Sequence, residues 1–233
     1  MKVIAIIPAR GGSKGVPGKN RKLILGKPLV TYTVETALKS TLLSDVWVTT
    51  DDKLIMECVS EFDKLLLHKR DAKLATDNSP ITETVKAILN SYDVNDFPDA
   101  VMLLQPTSPI REISDIDLAI KELTNRKAVN SVISVCEMDD IHPARMYWKS
   151  EDILVPIIEK YESVRRQEIP KALYRNGSIY LTRTTAFLST GSLMCKPSFG
   201  YEMPERMLLN IDSPRDMLVA PVLIKAWKNG ELS

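Results

Sequence analysis

The sequence predicts an α/β fold in which helices cover a mostly parallel sheet. The chain opens with five consecutive apolar residues, 3–7, most of them β-branched. Such a run is typical of a strand that is buried on both faces of a sheet. Strand-like and helix-like segments then alternate along the chain, which is the pattern of parallel strands joined by helical crossovers.

Length and composition indicate one domain with a net charge close to zero. The chain has 233 residues, of which 44% are hydrophobic and 26% are charged, and this fits a single domain over residues 1–233 with a sizeable core. A net charge of +1, from 31 basic and 30 acidic residues, argues against nucleic acid or an anionic membrane as a partner.

The same inventory predicts a cytoplasmic protein. We find no apolar run of the roughly 20 residues that a membrane span needs, and we expect no signal peptide because the chain enters its first strand at once. The three cysteines are scattered without metal-ligand spacing, as is typical of reduced thiols. The chain has two histidines, which excludes a His-rich metal site.

The later elements follow from hydrophobic spacing. Helical spacing predicts helices over residues 29–41, 53–62, 82–92 and 114–125. The pattern predicts strands over residues 46–49, 65–67 and 131–135, and the fully apolar run over residues 101–104 predicts a further strand. Thr82 suits the N-cap of the third helix, and Ser114-x-x-Asp117 resembles a capping box for the fourth.

The alternation breaks between residues 138 and 172. Short extended pieces, 145–149 and 153–158, replace the expected helix, and an insert of this kind often forms an interface or a lid. Beyond it the pattern predicts a strand over residues 176–181, a helix near Thr185 and a last strand over residues 207–211. Ser213, Pro214 and Asp216 then suit the start of a closing helix.

The loop after the first strand, residues 8–20, has the composition of a phosphate site. It holds four glycines, two prolines and the cations Arg10, Lys14 and Lys19. Glycines let a ligand approach backbone amides, and three cations in one loop favour an anionic partner such as a polyphosphate. The spacing matches neither a Walker A loop nor Gly-x-Gly-x-x-Gly, and a flexible solvated basic loop is the alternative.

Other polar residues follow predicted strands and would meet this loop at the carboxyl edge of the sheet. Gln105 could read a nucleobase edge, because an amide both donates and accepts, or it could simply end a strand. Asp212 could hold Mg²⁺ against phosphate oxygens or start a helix. Arg165 and Arg166 could bind a carboxylate or form a solvated face, and Arg70 is uninformative by itself.

We find no Ser-His-Asp, Cys-His or paired-carboxylate arrangement, as suits nucleotide transfer.

Several segments, in order and over nearly the whole chain, resemble the acylneuraminate cytidylyltransferases, the CMP-sialic acid synthetases. The longest match is Ile7-Pro8-Ala9-Arg10-Gly11-Gly12-Ser13-Lys14-Gly15 with Lys19-Asn20. The other matching segments are Arg70 with Leu74-Ala75-x-Asp77, Leu104-Gln105-Pro106-Thr107-Ser108-Pro109-Ile110-Arg111, Arg165-Arg166-Gln167-x-x-Pro170, Asn176-Gly177-Ser178-Ile179-Tyr180, and Asn210-Ile211-Asp212-x-Pro214.

The resemblance implies a three-layer α/β/α nucleotidyltransferase with a small dimerisation insert, here residues 138–172, in a homodimer. It implies that CTP and a nonulosonic acid react, with Mg²⁺, to give the CMP-sugar and pyrophosphate. The residues so implied for the triphosphate are Arg10, Ser13, Lys14 and Lys19. Those implied for cytidine are Asn20, Arg70 and Gln105. Those implied for the sugar acid are Arg165, Gln167 and Tyr180, with Arg165 reaching the partner subunit's site.

Asp212 is the implied metal ligand, and Asn210 is a departure from the resembled pattern. That pattern has two acids, Asp-x-Asp, where this chain has Asn210 and Asp212. Three alternatives stay open: a CMP-Kdo synthetase, a uridylyl- or adenylyltransferase acting on a neutral sugar, and a nucleotide-binding regulatory module without turnover.

Overall fold

The structure is a computed structural model that describes residues 1–75, 79–138 and 141–232. A seven-stranded sheet forms its centre. Asp77, part of the resemblance to the cytidylyltransferases, lies outside the described residues. The strands are, in chain order, β1 (Val3–Pro8), β2 (Leu23–Ile24), β3 (Lys27–Pro28), β4 (Asp45–Thr50), β5 (Leu65–Lys69), β6 (Ala100–Leu103), β7 (Ser131–Glu137), β8 (Tyr147–Ser150), β9 (Ile153–Pro156), β10 (Leu173–Arg183) and β11 (Ser198–Glu202). Beside the seven-stranded sheet, the described residues form two small two-stranded ribbons, β2–β3 and β8–β9.

The predicted α/β class with a mostly parallel sheet is confirmed. The strand order is β11-β7-β10-β6-β1-β4-β5, and all neighbours are parallel except β10, which runs antiparallel to β6 and to β7. The helices are α1 (Leu29–Lys39), α2 (Lys53–Cys58), α3 (Ile81–Leu89), α4 (Ile113–Asn125), α5 (Thr184–Thr190) and α6 (Pro214–Lys228).

The first strand shows why the fold has three layers. Val3, Ala5 and Ile7 pack in a core with residues of α1, α2 and α4, whereas Ile4 and Ile6 pack in a second core with residues of α3 and α5. Side chains alternate between the two faces of a strand, so a strand that is apolar at every position buries both faces. Helices therefore cover the sheet on both sides.

The predicted last strand over residues 207–211 is wrong. A 3-10 turn, Glu205–Met207, is followed by a buried non-strand segment in which Leu209 and Ile211 pack beneath α6. The Ile211 amide donates to the carbonyl of Thr107, 2.8 Å away. An apolar run does not distinguish a strand from a buried connection. The strand that does form nearby, β11, was missed because Ser-Phe-Gly-Tyr-Glu lacks an apolar run.

Several predicted helix ends are also corrected. Helix α4 is capped by Glu112 and Asp115 rather than by Ser114 and Asp117. Helix α3 begins directly after Pro80, so Thr82 lies inside its first turn rather than at its N-cap. Helix α2 ends at Cys58 instead of residue 62.

The predicted start of the closing helix is confirmed. Ser213 and Asp216 form a capping box, in which each side chain accepts from the other residue's amide, and Pro214 occupies the first turn. This cap fixes the backbone immediately after Asp212, a predicted site residue.

The break in alternation after β7 is also present. The described part of residues 138–172 holds β8 and β9, an antiparallel ribbon separate from the main sheet, and short 3-10 turns. Among the described residues, no helix is both long and apolar enough to cross a membrane.

Candidate active site

A cavity of about 440 Å³ opens at the carboxyl ends of β1 and β6. Nine of the twelve predicted site residues line it: Arg10, Ser13, Lys14, Lys19, Asn20, Arg70, Gln105, Asn210 and Asp212. Because the ends of parallel strands meet at one edge of a sheet, residues far apart in sequence reach the same cavity. The sequence did not single out Ser79, Ile81 and Thr107, which also line it.

Lys19 connects the first loop to the segment before α6. Its Nζ lies 2.7 Å from the carbonyl oxygen of Ile211 and 2.7 Å from Oδ1 of Asp212. The Lys19 side chain is only 10% exposed, whereas that of Asp212 is 61% exposed. Gly18 precedes Lys19 in the left-handed conformation, φ +63°, which glycine adopts without strain. The ammonium group is therefore fixed at the cavity wall.

Asp212 is held from two sides. Oδ1 accepts from Lys19, and Oδ2 accepts from the side-chain amide of Asn210. Gly15 also packs against this segment, because a Cβ atom at Gly15 would lie 2.0 Å from the carbonyl oxygen of Asp212. Only glycine fits this approach, so the first loop and the segment containing Asp212 form one wall.

Asn20 presents an unpaired acceptor. Its Nδ2 donates to the carbonyl oxygen of Arg10, 3.0 Å away, and its buried Oδ1 has no partner among the described residues. An unsatisfied buried oxygen costs free energy. A ligand hydroxyl or amino group would relieve this cost.

Arg70 is a buried cation at the cavity. Its guanidinium donates to the carbonyl oxygen of Thr49 at 3.2 Å, with a longer contact of 3.4 Å to the Thr49 hydroxyl. Burial lowers the pKa of Arg70 from its usual value; Asp51 opposes the shift and Arg10 adds to it. A buried guanidinium close to a second arginine favours an anionic or acceptor-rich ligand.

Gln105 reaches the cavity from the loop after β6 and rests on β10. The position of a Cβ atom at Gly177 would be 3.0 Å from Oε1 of Gln105, and Gly177 has a φ of +80°. Arg111, for which the sequence predicted no separate role, lies beneath this loop and is fully buried. Its guanidinium donates to the carbonyl oxygens of Gln105 and Ser108.

The three residues predicted for the sugar acid are not among those that line the cavity. Arg165 and Gln167 are both exposed: Arg165 is the N-cap of the 3-10 turn Arg166–Glu168 of the insert, and Gln167 lies within that turn. Tyr180 is half-buried and is paired in the sheet with Leu103, which does line the cavity. Its role and those of Arg165 and Gln167 stay predictions.

The donor set at the segment before α6 fits a magnesium ion. Asp212 supplies a carboxylate and Asn210 an amide oxygen, and Mg²⁺ is often bound by one or two protein oxygens together with substrate phosphates and water. In the described part of the chain, no group of three or more His, Cys, Asp or Glu residues could hold a metal ion, so phosphate oxygens would have to complete the site.

Comparison with known proteins identifies the family. Residues 4–190 match the model of a family described as cytidylyltransferase. The chain belongs to the cytidylyltransferase family. At least one relative matches nearly all of this chain, so the likeness continues beyond residue 190.

Two cytidylyltransferase relatives differ in length. The chain is 32% identical over 236 residues to the CMP-N,N'-diacetyllegionaminic acid synthase of Legionella pneumophila, covering 97% of each protein. It is 30% identical over 222 residues to the N-acylneuraminate cytidylyltransferase of Streptococcus agalactiae serotype V, covering 94% of this chain and 52% of that protein. The chain thus spans about half the length of the latter protein.

A solved structure supports the fold. CMP:2-keto-3-deoxy-manno-octonic acid synthetase, complexed with CTP, superposes with a TM-score of 0.72 at 19% identity, covering 97% of this chain and 99% of that one. At this identity the likeness establishes the nucleotidyltransferase fold alone.

Proposed function

We propose that this chain is an enzyme that transfers CMP from CTP to a nonulosonic acid and releases pyrophosphate. The observation that carries the proposal is the cavity itself, which brings the cations Arg10, Lys14, Lys19 and Arg70 together with Asn210 and Asp212. The names of the relatives support the same class of acceptor, since they act on acylneuraminic and diacetyllegionaminic acids.

Arg10, Lys14 and Lys19 would bind the triphosphate and stabilise charge as the bond breaks. The anomeric hydroxyl of the sugar acid attacks the α-phosphorus in line and passes its proton to the sugar's own carboxylate. The bond between the α-phosphorus and the oxygen that bridges to the β-phosphorus breaks, and pyrophosphate leaves. Lys19 exchanges its contact with Asp212 for a phosphate oxygen. Mg²⁺, held by Asp212 and Asn210, would neutralise charge on the triphosphate and the pyrophosphate. Positioning and charge stabilisation supply most of the catalysis in such transfers.

The cytosine base would be read by Arg70 and Gln105. Arg70 only donates hydrogen bonds, whereas the Gln105 amide donates and accepts, so the pair can distinguish cytosine from uracil at the pyrimidine edge. The unpaired Oδ1 of Asn20 offers a further acceptor to the nucleoside.

Residues 138–172 would pair two copies of the chain. The β8–β9 ribbon exposes large apolar side chains, with Trp148 66% and Leu154 64% exposed, and apolar clusters of this kind commonly mark protein interfaces. In such a dimer, Arg165 would bind the sugar carboxylate in the partner subunit's cavity. A cytoplasmic location is part of the same proposal.

A pyrophosphate-release assay tests the proposal. The purified protein is offered CTP, UTP, ATP and GTP, each with neuraminic, legionaminic and pseudaminic acids, with Kdo, and with a neutral sugar. We expect release with CTP and a nonulosonic acid, and little with UTP. Equal turnover of CTP and UTP would contradict the base-reading role, and a preference for Kdo would favour the CMP-Kdo alternative. CTP binding without turnover of any acceptor would indicate a regulatory module.

A further inference from the structure

Arg111 is the largest fully buried side chain in the described structure, with no exposed surface. It directly precedes Glu112, the N-cap of α4. Its hydrogen-bond acceptors are two backbone carbonyls and one hydroxyl, all of them uncharged. Burial lowers the pKa of Arg111 to about 9 while nearby Asp115 raises it, so the group keeps its charge at neutral pH.

The guanidinium of Arg111 fixes the backbone of the loop that carries Gln105. Nη2 donates to the carbonyl oxygen of Gln105 at 2.9 Å and to that of Ser108 at 2.6 Å. The guanidinium of Arg111 therefore ties two backbone positions of the 105–111 loop to each other. Both bonds have a charged donor, which makes them stronger than bonds between neutral groups.

The same guanidinium joins this loop to β10. Nε donates to Oγ of Ser178, 3.0 Å away, and Oγ of Ser108 donates to the carbonyl oxygen of Asn176. These contacts lie where the register of β10 shifts, between Arg175 and Tyr180. Gly177, within the shift, has no Cβ atom and so leaves room for Oε1 of Gln105, which would lie 3.0 Å from such an atom.

Burying the charged guanidinium of Arg111 costs free energy of folding, so stability alone does not explain it. A buried charge loses its hydration, and Nη1 of Arg111 has no partner among the described residues. An apolar side chain of similar volume would fill the space at lower cost. What an apolar residue cannot do is hold two carbonyls and a hydroxyl from separate segments at fixed positions.

We propose that Arg111 is a positioning residue, which fixes Gln105 against Gly177 and thereby sets one wall of the nucleotide cavity. It lies beneath the loop and is not among the residues that line the cavity. Its effect, which rests on the proposed function, is transmitted through Gln105.

A double-mutant cycle separates positioning from general stability. Arg111→Lys, Gln105→Ala and the double variant are compared with the unaltered protein for kcat, KM for CTP, KM for the sugar acid, and thermal unfolding midpoint. We expect Arg111→Lys to lower kcat/KM roughly tenfold to a hundredfold, the factor for one lost charge-assisted hydrogen bond. In the Gln105→Ala background the same substitution should cost less than about threefold, because the side chain being positioned is absent.

Arg183→Lys is the matched control. Arg183 also donates to backbone carbonyls, those of Leu123, Arg126 and Val129, but it ends β10, away from the cavity. We expect it to lower the unfolding midpoint without altering either KM. An equal loss of kcat/KM from Arg111→Lys in both backgrounds would overturn the inference, as would Gln105→Ala without any kinetic effect.

Ser178→Ala serves if Arg111→Lys does not fold. It removes the acceptor of Nε and leaves the arginine in place, so we expect a smaller loss of kcat/KM that also disappears in the Gln105→Ala background. Persistence of that loss would overturn the inference.

If the unaltered protein binds CTP but transfers no CMP, the proposed function fails, and the same cycle is then measured as CTP affinity by calorimetry.

Discussion

Lys19 and Asp212 form an ion pair across the cavity wall, with 2.7 Å between Nζ and Oδ1 although the residues are 193 positions apart. This ion pair joins the first loop directly to the segment before α6. Because Lys19 is mostly buried, water screens the ammonium group only weakly. A bound triphosphate would compete with Asp212 for this cation and free the carboxylate for another partner.

The first prediction concerns the other cations of the loop. Arg10→Ala and Lys14→Ala should each lower kcat/KM for CTP roughly tenfold to a hundredfold, since a lost charge-assisted bond to phosphate costs about 1.5–3 kcal/mol. Steady-state kinetics with varied CTP measure this. Lys22→Ala is the control, because Lys22 is an exposed cation of the same region outside the cavity lining. Unchanged kinetics in both variants would remove the loop from the nucleotide site.

The second prediction concerns the close approach of Gly15 to Asp212. Gly15→Ala would place a methyl group 2.0 Å from a carbonyl oxygen, so the two segments must separate. We expect a lower thermal unfolding midpoint and a large loss of activity. Gly12→Ala is the matched control for stability, because a Cβ atom at Gly12 meets nothing within 4 Å. If the two variants unfold at the same temperature as the unaltered protein, this packing is not maintained in solution.

The third prediction concerns the exposed ribbon of the insert. Leu154→Glu should convert a dimer into a monomer, because it places a charge in an apolar interface. Light scattering coupled to size-exclusion chromatography measures this change. Leu218→Glu is the control, since Leu218 is 80% exposed on α6, outside the insert. A dimer that persists in the Leu154 variant would assign the interface elsewhere.

Arg165 provides a functional test of the same dimer. If it serves the partner subunit's cavity, mixing Arg165→Ala and Lys14→Ala dimers should restore some activity after subunit exchange, because one of the two cavities then has both residues. No recovery in a demonstrated heterodimer would place Arg165 in the site of its own subunit.

The sequence predicted most of the sheet and most of the cavity for a common physical reason. Strands buried on both faces carry unbroken apolar runs, as in residues 3–7, and the polar residues that follow them must meet at one edge. The segment before α6 shows the limit, since Leu209 and Ile211 are buried without forming a strand. Arg111 was not predicted to support Gln105, because no local pattern shows which backbone carbonyls a buried arginine will contact.

The last prediction concerns Asn210, which donates to Asp212 and stands where the resembled pattern has an acid. An amide oxygen can coordinate Mg²⁺ but lacks the charge of a carboxylate, so affinity for the metal should be lower. We expect Asn210→Asp to reduce the Mg²⁺ concentration that gives half the maximal rate. Asp212→Asn should abolish turnover while CTP binding largely survives, because the cationic loop remains. A Mg²⁺ titration of both variants, with CTP affinity measured by calorimetry, provides the check. An unmoved curve for Asn210→Asp together with an active Asp212→Asn would show that the metal binds elsewhere.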